Sequence, residues 1–287
     1  MIPSPDAPRD SNTSSGTTSG TPSNTASRYE RAVLASQPIA YWRMGEAKGP
    51  SIIDSINGHN GTLHGTPSLQ ETGALAGDPN TAILLDGQGS YIEMPSHQDF
   101  SQCTSGEGLS IEAWLRPDLL EFEGESTDPY IHWLAKGCMG QQEWALRFYS
   151  AKSMRRPNRI SAYIFNPSGR KGVGAYFQDE LIAGEWIHVV ACFDPGNADT
   201  QSAGVSIYKN GKRRLGPPYQ STLYNNPPLK LYPMPGVAPL RLGTRDLKHC
   251  LVGALDEVAL YPRVLTANEV WDHFQLGSGV LGSSIHQ

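Results

Sequence analysis

The feature that most constrains the fold is a series of short segments in which every second residue is apolar. The pattern is clear at 109–116 ("LSIEAWLR") and recurs at 144–149, 160–165 and 187–193. A two-residue period matches a β-strand, whose side chains point alternately to the two faces of a sheet. The chain also has 30 Gly and 22 Pro, as many tight turns require. We therefore predict an all-β protein with turns roughly every 8–12 residues.

Helix signals occur only near the two ends of this β-rich region. Ser27 and Glu30 form a capping pattern before "RAVLA", with Pro38 ending the helix, and Thr266 and Glu269 repeat the pattern before the last apolar run. Between them, "AILLDGQGSYIEM" predicts a strand, a turn at Asp86 and a second strand. The sequence therefore predicts a β-sandwich or jelly roll with short terminal helices.

The first residues differ in composition from the middle of the chain. Residues 1–27 are almost all Ser, Thr, Gly, Pro, Asn and Asp, which cannot bury enough apolar surface to offset their ordering entropy. We predict a disordered linker at 1–27, one domain at 28–277 and a flexible tail at 278–287. This chain shows no signal peptide, so the protein is either cytoplasmic or part of a longer exported protein, and the linker favours the second interpretation.

Composition excludes several classes of function. The net charge is −5 and the pI is near 5.9, which argues against general nucleic-acid binding. No stretch approaches the roughly 20 apolar residues of a membrane span. No C-x-x-C motif occurs, so neither a zinc site nor a thioredoxin-like motif is expected. Cys192 is predicted to be a buried free thiol, while a disulfide among Cys103, Cys138 and Cys250 stays open.

Eight segments, in the same order, resemble the bacterial LamG-like domains of the laminin-G-like, concanavalin A-like lectin/glucanase superfamily. They are "VLASQPIAYWRMGE", "DSINGHNGTLHGTP", "GALAGDPNTAILLDGQGSYIEM", "SIEAWLRP", "GEWIHVVACFD", "VSIYKNGK", "LRLGT" and "LVGALDEVALYPRVLTANEV". The resemblance implies a jelly-roll sandwich of two antiparallel sheets with one concave outer face. It also implies that this face or its rim carries ligand, and that a structural Ca²⁺ lies near the edge. Fold alone does not fix function, because this fold supports both binding and catalysis.

Three aspartates are the candidate Ca²⁺ ligands. Asp256 has the strand parity of the apolar Val258 and Leu260, so it should point inward at the rim, while its neighbour Glu257 should face solvent. A cation bridging Asp86 and Asp256 would satisfy both carboxylates, with Asp54 as a further ligand. The alternative is that these carboxylates accept hydrogen bonds from turn N–H groups.

Polar residues on the predicted strands could line a sugar-binding face. The candidates are Glu112, Arg147, Tyr149, Tyr163 and His188. Outward Tyr and Arg are also ordinary cross-strand pairs, so each residue has a structural alternative. Basic segments such as "AKSMRRPNR" and "NGKRR" could attract sulfated or uronate glycans if they cluster.

The predicted function is a non-catalytic module that binds carbohydrate or a cell-surface partner within a larger extracytoplasmic protein. No E-x-D-x-x-E motif supplies the paired carboxylates of a glucanase, and the histidines form no H-x-H or H-E-x-x-H motif. Two alternatives stay open. One is a glycosidase or polysaccharide lyase on the same fold, and the other is a structural or interaction domain without a small ligand.

Overall fold

A computed structural model describes residues 26–166, 171–194, 204–214, 220–223 and 233–280. Almost all of the predicted linker, and the predicted tail after residue 280, lie outside the described residues. The described chain forms two antiparallel β-sheets, so the predicted all-β concanavalin A-like sandwich is confirmed.

Sheet A has eight strands among the described residues. In spatial order they are β14 (Lys212–Arg214), β13 (Gly204–Lys209), β12 (Ile187–Asp194), β7 (Leu109–Pro117), β17 (Val252–Tyr261), β5 (Thr81–Asp86) and β4 (Ser68–Thr72), with β1 (Ala40–Trp42) also paired to β17.

Sheet B has nine strands among the described residues. In spatial order they are β15 (Gln220–Leu223), β11 (Lys171–Phe177), β10 (Ile160–Asn166), β9 (Trp144–Tyr149), β8 (Tyr130–Lys136), β16 (Leu240–Leu242), β6 (Tyr91–Met94), β3 (Gly61–His64) and β2 (Ser51–Ile52). The turn at Asp86 joins β5 of sheet A to β6 of sheet B, so it passes between the sheets.

The core lies between the two sheets and follows the alternation seen in the sequence. The alternate residues of β7, β9, β10 and β12 belong to one cluster of buried apolar side chains. They are Leu109, Ile111, Ala113, Leu115, Trp144, Leu146, Phe148, Ile160, Ala162, Ile164, Ile187, Val189, Ala191 and Phe193. The remaining residues of these strands therefore point to the outer faces of the sheets.

The two predicted helices are confirmed as α1 (Arg28–Ala35) and α2 (Ala267–Ser278). The Ser27 hydroxyl accepts the N–H of Glu30 at 3.1 Å, and Thr266 with Glu269 forms a complete capping box. A 3₁₀ helix at Gln98–Thr104 was not predicted. No helix among the described residues has both the length and the apolar character needed to cross a membrane.

Both α-helices cover the outer face of sheet A. Tyr29 and Val33 of α1 and Val270 of α2 pack with Trp114 and Tyr261, which point outward from β7 and β17. Among the described residues no α-helix packs on the outer face of sheet B, because the buried residues of α1 and α2 all belong to this cluster or contact it. The two outer faces therefore differ in access.

A bulge in β17 changes which way its acidic pair points. Glu257 has a left-handed φ of +51°, and the register with β7 shifts between Asp256 and Ala259. The bulge breaks the alternation, since Leu255 and Val258 both enter the core. The parity prediction for Asp256 and Glu257 is therefore wrong: Glu257 is fully buried, not solvent-facing.

Candidate functional site

The five residues predicted to line one sugar-binding face lie on two different faces. Glu112 and His188 are on β7 and β12 of sheet A, whereas Arg147, Tyr149 and Tyr163 are on β9 and β10 of sheet B. The prediction of a single face is wrong, because alternation separates inward from outward residues but does not assign a strand to a sheet.

Glu112 is a fully buried carboxylate beneath the two helices. It accepts hydrogen bonds from the hydroxyls of Tyr29 at 2.9 Å and Tyr261 at 2.6 Å, and it lies 2.8 Å from Nε2 of His188 and 2.9 Å from Nδ1 of His273. Burial alone would raise the pKa of Glu112, but His273 and His188 hold it well below its usual range. Glu112 and His188 are both 0% exposed, so they stabilise the helices on sheet A and cannot contact a ligand in this structure.

Asp256 and Glu257 form a second buried network on the same side of sheet A. The Nδ2 of Asn80 donates to both carboxylates, at 3.3 Å to Asp256 and 3.0 Å to Glu257. Arg43 forms an ion pair with Glu257 at 2.9 Å, and the Tyr41 hydroxyl donates to the same carboxylate. Burial raises the pKa of Glu257 to about 7, and burial together with Glu257 raises the pKa of Asp256.

The three predicted Ca²⁺ ligands lie apart, and each carboxylate accepts hydrogen bonds from backbone N–H groups of a turn or loop. The Asp54 carboxylate accepts four backbone N–H groups, from Tyr41, Ile56, Asn57 and His59. Asp86 and Asp256 likewise accept backbone N–H groups.

The register excludes one cation bound to both Asp86 and Asp256. Asp86 pairs with Val252, four residues before Asp256 on β17, which places the Cα atoms of Asp86 and Asp256 roughly 13 Å apart along the strands at about 3.3 Å per residue, too far for both side chains to reach one ion. The predicted bridge is therefore wrong, and the alternative of turn-capping carboxylates describes the observed hydrogen bonds.

The outer face of sheet B carries stacked arginine and tyrosine side chains. The guanidinium of Arg147 lies 3.9 Å from the ring centroid of Tyr163 and 4.7 Å from that of Tyr130. Its Nη1 donates to the Tyr149 hydroxyl at 3.0 Å, and so does Nη1 of Arg156. Arg147 is 8% exposed and has no carboxylate within ion-pair distance among the described residues. Aromatic rings thus hold this buried cation.

A groove of about 640 Å³ opens beside these residues. We call it the sheet B groove, and its lining includes Tyr130, His132, Arg241, Arg245, Lys248 and His249. Arg245 donates to the Tyr163 hydroxyl at 3.1 Å, and Nε2 of His132 lies 3.0 Å from the same oxygen. Residues of two neighbouring strands and the loop after β16 therefore meet at one opening.

The guanidinium groups of Arg147, Arg156 and Arg245 create a positive potential near the base of the groove, which shifts the pKa values of His132 and Tyr149. Burial, and then the charges of Arg245 and Arg147, lower the pKa of His132 well below its usual range. Burial would raise the pKa of Tyr149, but Arg147 and Arg156 lower it below its ordinary value. The groove therefore offers the neutral imidazole of His132, the phenol of Tyr130 and guanidinium donors, a combination that suits hydroxyl and carboxylate or sulfate groups.

None of the five residues predicted to bind sugar lines the groove, although Arg147 and Tyr163 contact residues that do. Tyr130 and His132 stand at alternate positions of β8, and Arg241 lies between two core leucines of β16, so alternation could have identified all three as outward-facing. Arg245 and His249 lie in a loop whose position depends on the fold, and no local pattern identified them.

Comparisons with known proteins agree on the fold. A family model of the laminin G type, described as the concanavalin A-like lectin/glucanases superfamily, matches residues 86–271. A sequence comparison with curated proteins finds no match.

Three solved structures illustrate the structural likeness. The receptor binding domain of botulinum neurotoxin type G is 14% identical with a TM-score of 0.52, over 83% of this chain and 51% of that one. The binding domain of botulinum neurotoxin DC, in complex with SialylT, is 11% identical with a TM-score of 0.56, again over 83% and 51%. Domain 4 of AbnA, an extracellular arabinanase from Geobacillus stearothermophilus, in complex with arabinotriose, is 18% identical with a TM-score of 0.51, over 83% and 98%. The chain spans about half the length of the toxin domains, and at these identities the likeness is one of fold.

Proposed function

The chain belongs to the concanavalin A-like lectin/glucanases superfamily, and from this membership we propose that it is a non-catalytic carbohydrate-binding module of a larger extracellular protein. The observation that carries the proposal is the sheet B groove, where the ring of Tyr130 and the guanidinium groups of Arg241 and Arg245 line an opening of about 640 Å³. Apolar or aromatic surface with a few fixed polar groups is typical of small-ligand sites. One neighbour of the same fold is named as a binding domain and another is in complex with arabinotriose, which supports the same class of function.

The preferred ligands are acidic sugars, such as uronate or sulfated units. Arg147 brings a buried positive charge to this face without a carboxylate partner among the described residues, and Lys248 adds charge at the groove, while the charge of Arg245 is shared with Asp246. Guanidinium groups bind carboxylate and sulfate oxygens through paired hydrogen bonds, which a neutral sugar cannot match. Two acidic residues, Glu125 and Asp246, also border the groove, and Asp246 is neutralised by its ion pair with Arg245 at 2.5 Å.

A non-catalytic role fits the burial of the three acidic residues on β7 and β17. Glycoside hydrolysis needs two carboxyl groups on either side of the scissile bond, both in contact with the substrate. The pair adjacent in sequence, Asp256 and Glu257, is fully buried, and so is Glu112. None of these three carboxylates can reach a glycosidic bond in this structure.

Calorimetric titration with three oligosaccharides of equal length tests the proposal. We would use a sulfated glycosaminoglycan fragment, an oligogalacturonate and a neutral malto-oligosaccharide. The acidic ligands should bind more tightly than the neutral one, and their affinity should fall as NaCl is raised.

Two groove variants and one control locate the binding. Arg245→Gln and Tyr130→Ala should each lower the affinity for the acidic ligands about tenfold or more, which corresponds to the loss of one charge-assisted hydrogen bond or ring contact. Arg213→Gln removes one positive charge from an exposed position on β14 of sheet A and should leave affinity unchanged. No binding of any ligand at about 1 mM would contradict the proposal and favour an interaction domain. Equal binding of the neutral ligand would contradict only the acidic preference.

A further inference from the structure

Two histidines and an aspartate converge at one edge of sheet B, away from the sheet B groove. His59 lies in the loop before β3, whereas His97 and Asp99 lie at the start of the 3₁₀ helix. Nε2 of His59 is 2.8 Å from Oδ2 of Asp99, and Nδ1 of His97 is 3.3 Å from the same oxygen. One potential ligand atom from each residue lies within 4.8 Å of the others.

The surrounding structure holds this cluster in place. The backbone N–H of His59 donates to Asp54 at 2.9 Å, and the His59 carbonyl accepts from the Trp42 indole at 2.8 Å. The ring of His59 lies 4.4 Å from that of His97 and 5.0 Å from that of Phe100, between centroids. His59 is therefore fixed on both its backbone and its side chain before any ligand arrives, which lowers the entropic cost of binding.

We propose that His59, His97 and Asp99 bind a divalent transition-metal ion of the Zn²⁺ type. Two imidazoles and one carboxylate form the ligand set of many zinc sites, while Ca²⁺ prefers six to eight oxygens. Tetrahedral ligands about 2.0–2.1 Å from zinc lie roughly 3.3 Å from one another, close to the observed spacing. The side chains of His97 and Asp99 are 45% and 25% exposed, so an ion can enter from solvent and keep water as a further ligand.

The ion would join two segments that are distant in sequence. One ligand comes from the loop before β3 and two come from the segment after β6, at the rim where the 3₁₀ helix enters the core through Phe100. An ion that binds only the native protein stabilises it in proportion to the logarithm of its concentration. In this proposal, bound zinc holds these two segments together at the rim of the sandwich. This role does not depend on sugar binding.

Titration of tag-free, EDTA-treated and dialysed protein with ZnCl₂ tests the site. Calorimetry should give one Zn²⁺ per chain, and a thermal scan should show a rise in Tm that CaCl₂ does not reproduce. Co²⁺ in place of Zn²⁺ should give the visible absorption of a low-coordinate, nitrogen-ligated ion.

Single substitutions test which residues bind the Zn²⁺ ion. His97→Ala and Asp99→Asn should each weaken Zn²⁺ binding at least about tenfold, since loss of even an outer partner costs about 10–100-fold. His64→Ala, a partly exposed histidine on β3 outside the cluster, should bind Zn²⁺ like the wild type. Similar Tm values for the metal-free proteins would show that the variants fold.

Three results would overturn the proposal. The first is wild-type protein that shows neither heat nor a Tm shift with ZnCl₂. The second is full affinity in both His97→Ala and Asp99→Asn. The third is loss of Zn²⁺ binding in Cys138→Ser, a partly exposed thiol beside the groove, with binding retained in His97→Ala.

Discussion

The outer faces of sheets A and B both bury charged side chains, but the groups that surround those charges differ. On sheet A, the Glu112 carboxylate has two phenol donors and two imidazoles, and helices α1 and α2 cover it. On sheet B, the Arg147 guanidinium lies between aromatic rings, with no carboxylate partner among the described residues, beside an open groove. Removing one partner from a fully paired buried charge destabilises a fold, whereas a charge that keeps an uncompensated field next to solvent can attract a ligand.

The largest loss of stability should come from removing the Glu112 carboxylate beneath helices α1 and α2. Glu112→Ala leaves two buried hydroxyls and two imidazoles without their common acceptor, and we expect the free energy of unfolding to fall by about 3–5 kcal/mol. Urea unfolding at pH 7 measures this loss. Glu107→Ala, an exposed glutamate just before β7, is the control and should stay within about 0.5 kcal/mol of wild type. If Glu112→Ala were as stable as that control, the assignment of Glu112 to stability would be wrong.

The second-largest change in the free energy of unfolding should come from a change of pH. Glu257 has a pKa raised to about 7, so between about pH 4.5 and 7 the native protein binds more protons than the unfolded chain. Burial would lower the pKa of His273, but the Glu112 carboxylate raises it, so its stabilising effect also fades as pH rises above about 6.5. Glu112 is ionised in both states above pH 5.5 and adds no slope. The raised pKa of Asp256 adds to this slope, whereas the lowered pKa of His132 opposes it, so three of these four groups give a stability that falls as pH rises.

We therefore expect stability to fall from pH 5.5 to pH 8, by on the order of 1–3 kcal/mol. Urea unfolding at several pH values measures the slope. Glu257→Gln carries no titratable group at this position, so its profile should be flatter than that of the wild type. A stability that stays constant or increases over this range would contradict the raised pKa values.

The smallest effect on stability should come from sheet B. Arg147→Met keeps a long side chain between Tyr130 and Tyr163 but removes the charge, and Tyr149 still has Arg156 as a donor. We expect a loss of about 0.5–2 kcal/mol, the range of cation–π contacts, together with weaker binding of acidic oligosaccharides. Unfolding and calorimetry on the same sample measure both. If Arg147→Met lost several kcal/mol of unfolding free energy but bound acidic oligosaccharides like the wild type, the assignment of stability to sheet A and of binding to sheet B would be wrong.

Local pattern was enough to predict much of the fold. The alternation at β7, β9, β10 and β12 placed their core residues correctly, and Thr266 with Glu269 located the start of α2. These features depend on neighbours a few residues away, which a sequence shows directly.

The candidate site depended on contacts that local pattern does not contain. The pairing of β7 with β17 and of β9 with β8 decides that Glu112 and Arg147 lie on opposite faces. The bulge at Glu257 reverses the parity of Asp256, and no residue type marks it. His59 and His97 are 38 positions apart and meet only because β3 pairs with β6.

The packing of α1 against α2 has a consequence for how the domain can be linked to others. Gly277, near the end of α2, lies so close to Tyr29, near the start of α1, that an added Cβ would stand 3.0 Å from its ring. Polypeptide joined directly to the start of α1 or to the end of α2 therefore attaches on the outer face of sheet A, the face opposite the sheet B groove. Two attachment points that lie side by side allow such a domain to be inserted into a surface loop of another protein through short connections.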